Sequence, residues 1–161
     1  MAKEKGKQRY RDVAQNRRAL HEFTILDRFE AGIVLTGSEV KSLRERGATI
    51  RDAYAEVRDG EVWLVNAHIP EYFNAGMLGH EPLRTRKLLL HRQEIARLAG
   101  RLAEKGLTLV PLRLYFTAEG RAKIEIGVGR GRRLYDKRHA IAEREMKREA
   151  DRAMRSAVRG R

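Results

Sequence analysis

Hydrophobic residues along the chain alternate with polar ones in short runs, and helical spacing interrupts that alternation only twice. From Glu22 to Leu35 the positions Phe23, Ile25, Ile33 and Leu35 take alternate places around a polar stretch at Glu30-Ala31-Gly32, which predicts strand with a bend at that stretch. A helix is predicted directly after it. Thr36 and Glu39 have capping-box spacing, Val40 and Leu43 give a one-sided apolar pair, and Gly47 supplies a stop. Tyr54–Arg58 and Glu61–Ile69 flank Asp59-Gly60, the strongest hairpin signal in the chain. Within the second arm, Trp63 lies among Val62, Leu64 and Val65, a setting that favours core packing over base stacking. The stretch from Tyr72 to Pro82, with Gly76 and Gly79, reads as a mobile loop before a strand at Arg86–Leu90. Ile95, Leu98, Ala99 and Leu102 then recur at helical spacing up to Gly106. A last hairpin joins Thr108–Phe116 to Arg121–Val128 around Glu119-Gly120. In its second arm Ala122, Ile124, Ile126 and Val128 face one way and Arg121, Lys123 and Glu125 the other.

About six short strands joined by tight hairpins cannot form a parallel sheet. The pattern predicts a mainly β fold: an OB-like antiparallel barrel of about six strands with two or three peripheral helices. It divides the chain into a flexible basic arm over 1–12, a body over 13–130 and a basic C-terminal tail over 131–161. In the tail Ala142, Met146, Ala150, Ala153 and Ala157 make a thin stripe, supported by the spacing of Glu143 with Lys147 and Asp151 with Arg155. So little apolar area does not offset the entropy of ordering some thirty residues, and the tail is expected to be disordered when free and helical on a partner.

Charge sharpens this picture because of where it sits. The formal net charge is +13, of which residues 1–18 carry +5, residues 130–161 carry +7, and the long middle only +1. The last segment holds 10 arginines against 2 lysines. Guanidinium groups suit bidentate phosphate contact and stacking on bases. A neutral globule between cationic ends is the footprint of a nucleic-acid binder that releases counterions.

Candidate chemistry is sparse. There is no cysteine, and Ser38, Ser42 and Ser156 lie in no nucleophile-elbow motif. The five histidines lack close metal-ligand spacing, so neither catalytic residue, metal nor cofactor is expected. No apolar run reaches the length of a membrane span, and the chain is expected to work in the cytoplasm. Gly127, Gly129 and Gly131 fit a strand end giving way to a tail better than a dinucleotide-binding turn, because the third glycine comes one residue early. Tyr135, set within Arg132-Arg133-Leu134-Tyr135-Asp136-Lys137-Arg138, has the surroundings of a base-stacking residue beside phosphates.

Several segments in order resemble the SmpB family, the SsrA-RNA-binding proteins of bacterial trans-translation. They are Asn16-Arg17-Arg18, Glu30-Ala31-Gly32, Thr36-Gly37-Ser38-Glu39-Val40-Lys41-Ser42-Leu43-Arg44, Asn66-Ala67-His68-Ile69, Arg84-Thr85-Arg86-Lys87-Leu88-Leu89-Leu90, Leu109-Val110-Pro111-Leu112, Leu114-Tyr115 and Tyr135-Asp136-Lys137-Arg138. The resemblance implies a non-enzymatic adaptor, a monomer on its RNA, whose body binds the tRNA-like domain of transfer-messenger RNA. It implies that the tail occupies the empty mRNA channel and decoding centre of the small subunit of a stalled ribosome. Asn16, Arg17, Arg18, Glu30 and Lys123 would then contact RNA from the body. Tyr135, Asp136, Lys137 and Arg138 would lie at the decoding site, with Arg132, Arg133, Arg144, Lys147 and Arg148 as further cationic contacts of the tail. Glu30 cannot bind phosphate; it accepts from base or sugar donors, orients an arginine, or stabilises the local bend. A ribosomal or general structured-RNA-binding protein with no rescue role is the alternative.

Overall fold

The computed structural model describes residues 11–72 and 79–159, and within the C-terminal helix the side chains of 132 and 141–158. The elements in order are β1 (Arg11–Gln15), α1 (Arg17–Glu22), β2 (Phe23–Ile33), α2 (Gly37–Arg46), β3 (Tyr54–Arg58), β4 (Glu61–Val65), β5 (Arg86–Leu89), α3 (Arg92–Leu102), β6 (Leu107–Phe116), β7 (Ala122–Gly131) and α4 (Arg132–Arg159). The ring β6-β3-β4-β5-β2-β7 closes on itself through the β6–β7 hairpin, and every pairing is antiparallel. β1 lies outside the ring, extending the edge of β6 beyond the place where β3 meets it at Leu109. The architecture is the OB-like barrel that the hairpin pattern predicts.

Alternation accounts for the interior. Ala31, Val62, Leu64, Leu88, Leu109, Leu114, Ile124, Ile126 and Val128 are buried inside the barrel, and α2 and α3 add Leu43 and Leu98 to the same cluster. The Asp59-Gly60 turn forms as read, with φ of 52° and 74° at its two residues. α2 carries both halves of its capping box, Thr36 accepting from the Glu39 amide and Glu39 accepting from the Thr36 amide.

Other expectations need correction. Arg11 and Asp12, assigned to the flexible arm, pair with β6, and β7 runs on through Gly131. Residues 1–10 of the arm and 73–78 of the expected mobile loop lie outside the described residues. β1 and α1 were not foreseen, because five and six residues of mixed polarity carry no periodic signal. β4 stops at Val65, where Asn66 takes a φ of 61°. Trp63 is not in the core: its neighbours Val62 and Leu64 point inward, which puts the indole on the outer face opposite Glu56 and Lys87. β2 continues as strand through Glu30–Gly32, passing there from β7 to β5, and its irregularity is a β-bulge at Leu26. Of the tail, expected to be disordered when free and helical on a partner, the structure presents the helical form, α4, whose described apolar side chains are open to solvent, Met146 and Met154 by 74% and 71%.

One buried ion pair ties α2 to β5. Glu39 and Arg86 are both fully buried, the Glu39 Oε2 accepting from the Arg86 Nε, while Oε1 accepts from Arg84 at 2.6 Å and from the Thr36 amide at 2.9 Å. Arg86 also donates to the carbonyls of Ala67 at 2.8 Å and Pro82 at 3.1 Å. Burial alone would raise the Glu39 pKa, but the hydrogen bonds from Arg84, the Thr36 amide and Arg86, with the charge of Arg86, outweigh it and hold the carboxyl below its ordinary 4.5. The unfolded chain therefore binds the extra proton first. The stabilisation is complete above about pH 4.5 and is lost as pH falls through the lower folded value. We expect Glu39→Gln, which leaves the Arg86 guanidinium buried without its counter-charge, to cost about 3–5 kcal/mol at neutral pH by urea denaturation. The variant should also lose the part of the acid sensitivity that the native protein shows below pH 4.5.

Candidate nucleic-acid interface

The outer surface of β6, β7 and β2 is organised by two bulges. On β2, Phe23 and Ile25 face outward before the bulge at Leu26, whereas Phe29, Ala31 and Ile33 face the barrel after it. On β6 the bulge at Leu112 does the same, with Val110 and Leu112 outside, then Leu114 inside. Each bulge inserts one residue and so reverses the side-chain alternation that follows. Between them lies β7, whose outward positions are Lys123, Glu125, Gly127 and Gly129.

The glycine half of that row seats α1. Ala19, Val110 and Leu112, with Phe23 and Ile25, form a second small cluster on the outside of the barrel. Those side chains press onto bare β7 backbone: a methyl group at Gly127 would stand 2.9 Å from Leu112 Cδ1, and one at Gly129 would stand 3.0 Å from Phe23 Cβ. The strand-end reading of these glycines holds, because β7 continues through Gly131 into α4, and packing is what requires two of them.

Asn16 locks α1 in place. Its Oδ1 caps the helix by accepting from the Ala19 amide at 3.1 Å, and its Nδ2 donates to the carbonyls of Pro111 at 3.0 Å and Ile50 at 3.3 Å. Both amide hydrogens are thus used internally and the residue is buried, so Asn16 positions the helix. Arg17, next in sequence, is exposed and has no partner among the described residues. Arg18 turns back to Glu22 at 2.6 Å and Asp52 at 3.6 Å and stays partly exposed.

The charged half of the row carries a lattice of ion pairs. Arg28 of β2 meets Glu125 of β7 at 2.9 Å, and Lys123 meets Glu30 of β2 at 3.8 Å. From β6 the Tyr115 hydroxyl crosses β7 and donates to Glu30, while the Arg113 guanidinium lies 4.2 Å from the Tyr115 ring and 3.2 Å from Asp12. The sequence placed Glu30 and Lys123 on this surface but missed Arg28, Arg113 and Tyr115. The alternation of Arg113 and Tyr115 was visible, yet the bulge at Leu112 hid which way they point. A shallow cleft lined by Gln15, Asn16, Arg17, Arg28, Arg113 and Glu125 links the α1 side of this face to the ion-pair side.

α4 follows β7 without an intervening residue. Arg132 Nε donates to Thr24 Oγ1 of β2 at 3.0 Å, and Arg144, Lys147 and Arg148 are exposed at spacings that share one side of a helix. The side chains of Arg133, Tyr135, Asp136, Lys137 and Arg138 lie outside the described residues.

Comparison with known proteins settles the kinship. Residues 13–156 match the model of a family described as SmpB protein. This chain is a member of the SmpB family. It is 55% identical over 161 residues to the SsrA-binding protein of Frankia casuarinae, spanning all of this chain and 99% of that one. It is 59% identical over 143 residues to the SsrA-binding protein of Thermobifida fusca, spanning 89% of each. Among solved structures, a chain described as "tmRNA-SmpB: a journey to the center of the bacterial ribosome" superposes with a TM-score of 0.63 at 47% identity, covering 74% of this chain and 84% of that one.

The seating of α1 on bare backbone is open to a direct check. Gly127→Ala forces Leu112 and Ile25 to give way, and overpacking of that kind costs about 1–3 kcal/mol. Urea denaturation should show the loss, and amide exchange should show it centred on α1.

Proposed function

We propose that this protein binds the tRNA-like domain of transfer-messenger RNA with its barrel and delivers that RNA to stalled ribosomes for trans-translation. The observation that carries this reading is the pairing of two unlike parts: a barrel face built from Arg28, Glu30, Arg113 and Lys123 beside the exposed Arg17, and a cationic helix of 28 residues whose side chains from 141 to 158 are all exposed. A helix whose outer two thirds is exposed on every side is suited to a partner's channel. The names of the relatives and of the solved neighbour, SsrA-binding protein and tmRNA-SmpB at the ribosome, support the same pair of partners.

In this reading the barrel grips the folded RNA through mixed contacts. Arg17, Arg28, Arg113 and Lys123 neutralise phosphates, and the half-exposed Glu30 accepts from a base or ribose donor, since a carboxylate repels phosphate. Asn16 acts only through the placement of α1. The tail, with Arg132, Arg133, Tyr135, Asp136, Lys137 and Arg138 near its root and Arg144, Lys147 and Arg148 beyond, lies in the mRNA channel with its root at the decoding centre. There is no catalytic step for the protein to perform: peptide transfer and decoding belong to the RNA and the ribosome. The protein works in the cytoplasm, one copy per bound RNA. Among the described residues no helix is long and apolar enough to cross a membrane.

The tail is loose in the free protein and becomes a continuous helix on the ribosome. Isolated helices depend on packing of an apolar face for most of their stability, and here Ile141, Met146, Met154 and Val158 are all more than half exposed. Amide exchange on the free protein should therefore be fast from about residue 140 onward and slow in the barrel; a protected tail in the free state would overturn this point.

Truncation before Arg132 separates the two parts. The shortened protein should keep affinity for the tRNA-like RNA within about three-fold and lose peptide tagging on stalled ribosomes. A large fall in RNA affinity would contradict the division between barrel and tail.

A further inference from the structure

Tyr115 is an unusual residue for the outside of a barrel. It follows the bulge on β6, stands directly opposite Lys123 of β7 in the ladder, and is nevertheless only 1% exposed. Arg113 covers its ring at 4.2 Å, and its hydroxyl reaches Glu30 Oε2 on the far side of β7. Glu30 itself remains 53% exposed, with its other oxygen, Oε1, 3.8 Å from the Lys123 ammonium. A buried phenol thus holds one oxygen of an exposed carboxylate, and a lysine stands beside the other.

The chemistry of that arrangement is specific. A free glutamate on a strand rotates among several rotamers and loses that freedom on binding. The phenolic donor removes most of the freedom in advance, and a charge-assisted hydrogen bond of this kind is stronger than one between neutral groups. Ammonium and carboxylate side by side then offer a donor and an acceptor in fixed positions. Phosphate satisfies only the first of these. A nucleotide whose phosphate meets Lys123 while a base N–H or a ribose 2′-hydroxyl meets Oε1 satisfies both.

We propose that Tyr115 is a positioning residue of the RNA-binding face, fixing the Glu30 carboxylate so that Oε1, beside Lys123, receives a hydrogen-bond donor from RNA. This rests on the reading of the barrel face as the RNA site and adds to it the residue that orients the acceptor. Arg113 contributes by covering the Tyr115 ring, which keeps water from competing for the hydroxyl.

The test is a double-mutant cycle on the full-length protein, with affinity for the tRNA-like domain of transfer-messenger RNA read across a salt series. Tyr115→Phe keeps the ring and the Arg113 stack and removes only the hydroxyl. It should weaken binding roughly ten-fold, with no change in the salt slope. Glu30→Gln should weaken binding at least as much, and adding Tyr115→Phe to it should have no further effect. Lys123→Ala should instead reduce the slope by about one charge. Should Tyr115→Phe perturb folding, an interference scan of the RNA against the Glu30→Gln protein gives an independent reading. One position at which inosine for guanosine, or deoxyribose for ribose, weakens native binding should lose its effect in that variant; the two substitutions distinguish a base donor from a ribose donor. Absence of any such position would overturn the proposal. If Glu30→Gln weakens binding and Tyr115→Phe leaves it unchanged, the positioning role fails and the RNA face stands. If Glu30→Gln, Lys123→Ala and Tyr115→Phe all bind as the native protein does, both fail together.

Discussion

The two-residue period of β7 is the constraint on which the molecule depends. Its even positions, Ile124, Ile126 and Val128, fill the barrel, so its odd positions must face outward. The strand is paired on both edges along most of its length, to β2 and to β6, and a slip of one residue would put Lys123 and Glu125 into the core. Burial therefore fixes the register. The register in turn aligns Lys123 with Tyr115, brings Glu125 opposite both Glu30 and Arg113, and places two glycines where α1 must sit. The charged surface is in this sense a by-product of the core: the side chains that bind nothing inside decide the positions of those that face out.

That dependence explains what the sequence could disclose. Alternation in Ala122–Val128, the Asp59-Gly60 turn and the Thr36–Glu39 capping box are local signals, and each produced the element it predicts. Lys123 was legible as outward because it alternates with three buried residues. The bulges at Leu26 and Leu112 were not legible, since an extra residue in a ladder is defined only by the partner strand. Phe23 and Ile25 consequently looked like one face with Ile33, when they belong to the outer cluster under α1. Trp63 was misplaced for a related reason: a run of four apolar residues does not say which of them face inward, and only the pairing with Glu56 and Lys87 does. Asn16 was found through family resemblance, but its partners Pro111 and Ile50 are distant in sequence, and nothing local reveals that its amide is fully engaged.

The pair Glu39–Arg86 shows a different limit. Both residues stood in segments that mark the family, yet neither carries a sign of burial, and charged residues are rarely buried without a partner. Glu39 serves two structures at once, closing the capping box of α2 and receiving Arg86 from β5, so the helix is fastened to the barrel at the point where its backbone also needs an acceptor. Losing either member of such a pair leaves the other charge buried without its counter-ion, which is why the two are retained or lost together.

No residue separates β7 from α4: Gly131 closes the strand and Arg132 opens the helix. At about 3.3 Å per strand residue and 1.5 Å per helical residue, Lys123 and the far end of α4 are joined by a single stiff path of roughly 26 Å and then 42 Å whenever the helix is formed. The distance from the ion-paired end of β7 to the tip of such a helix is then set by residue count alone.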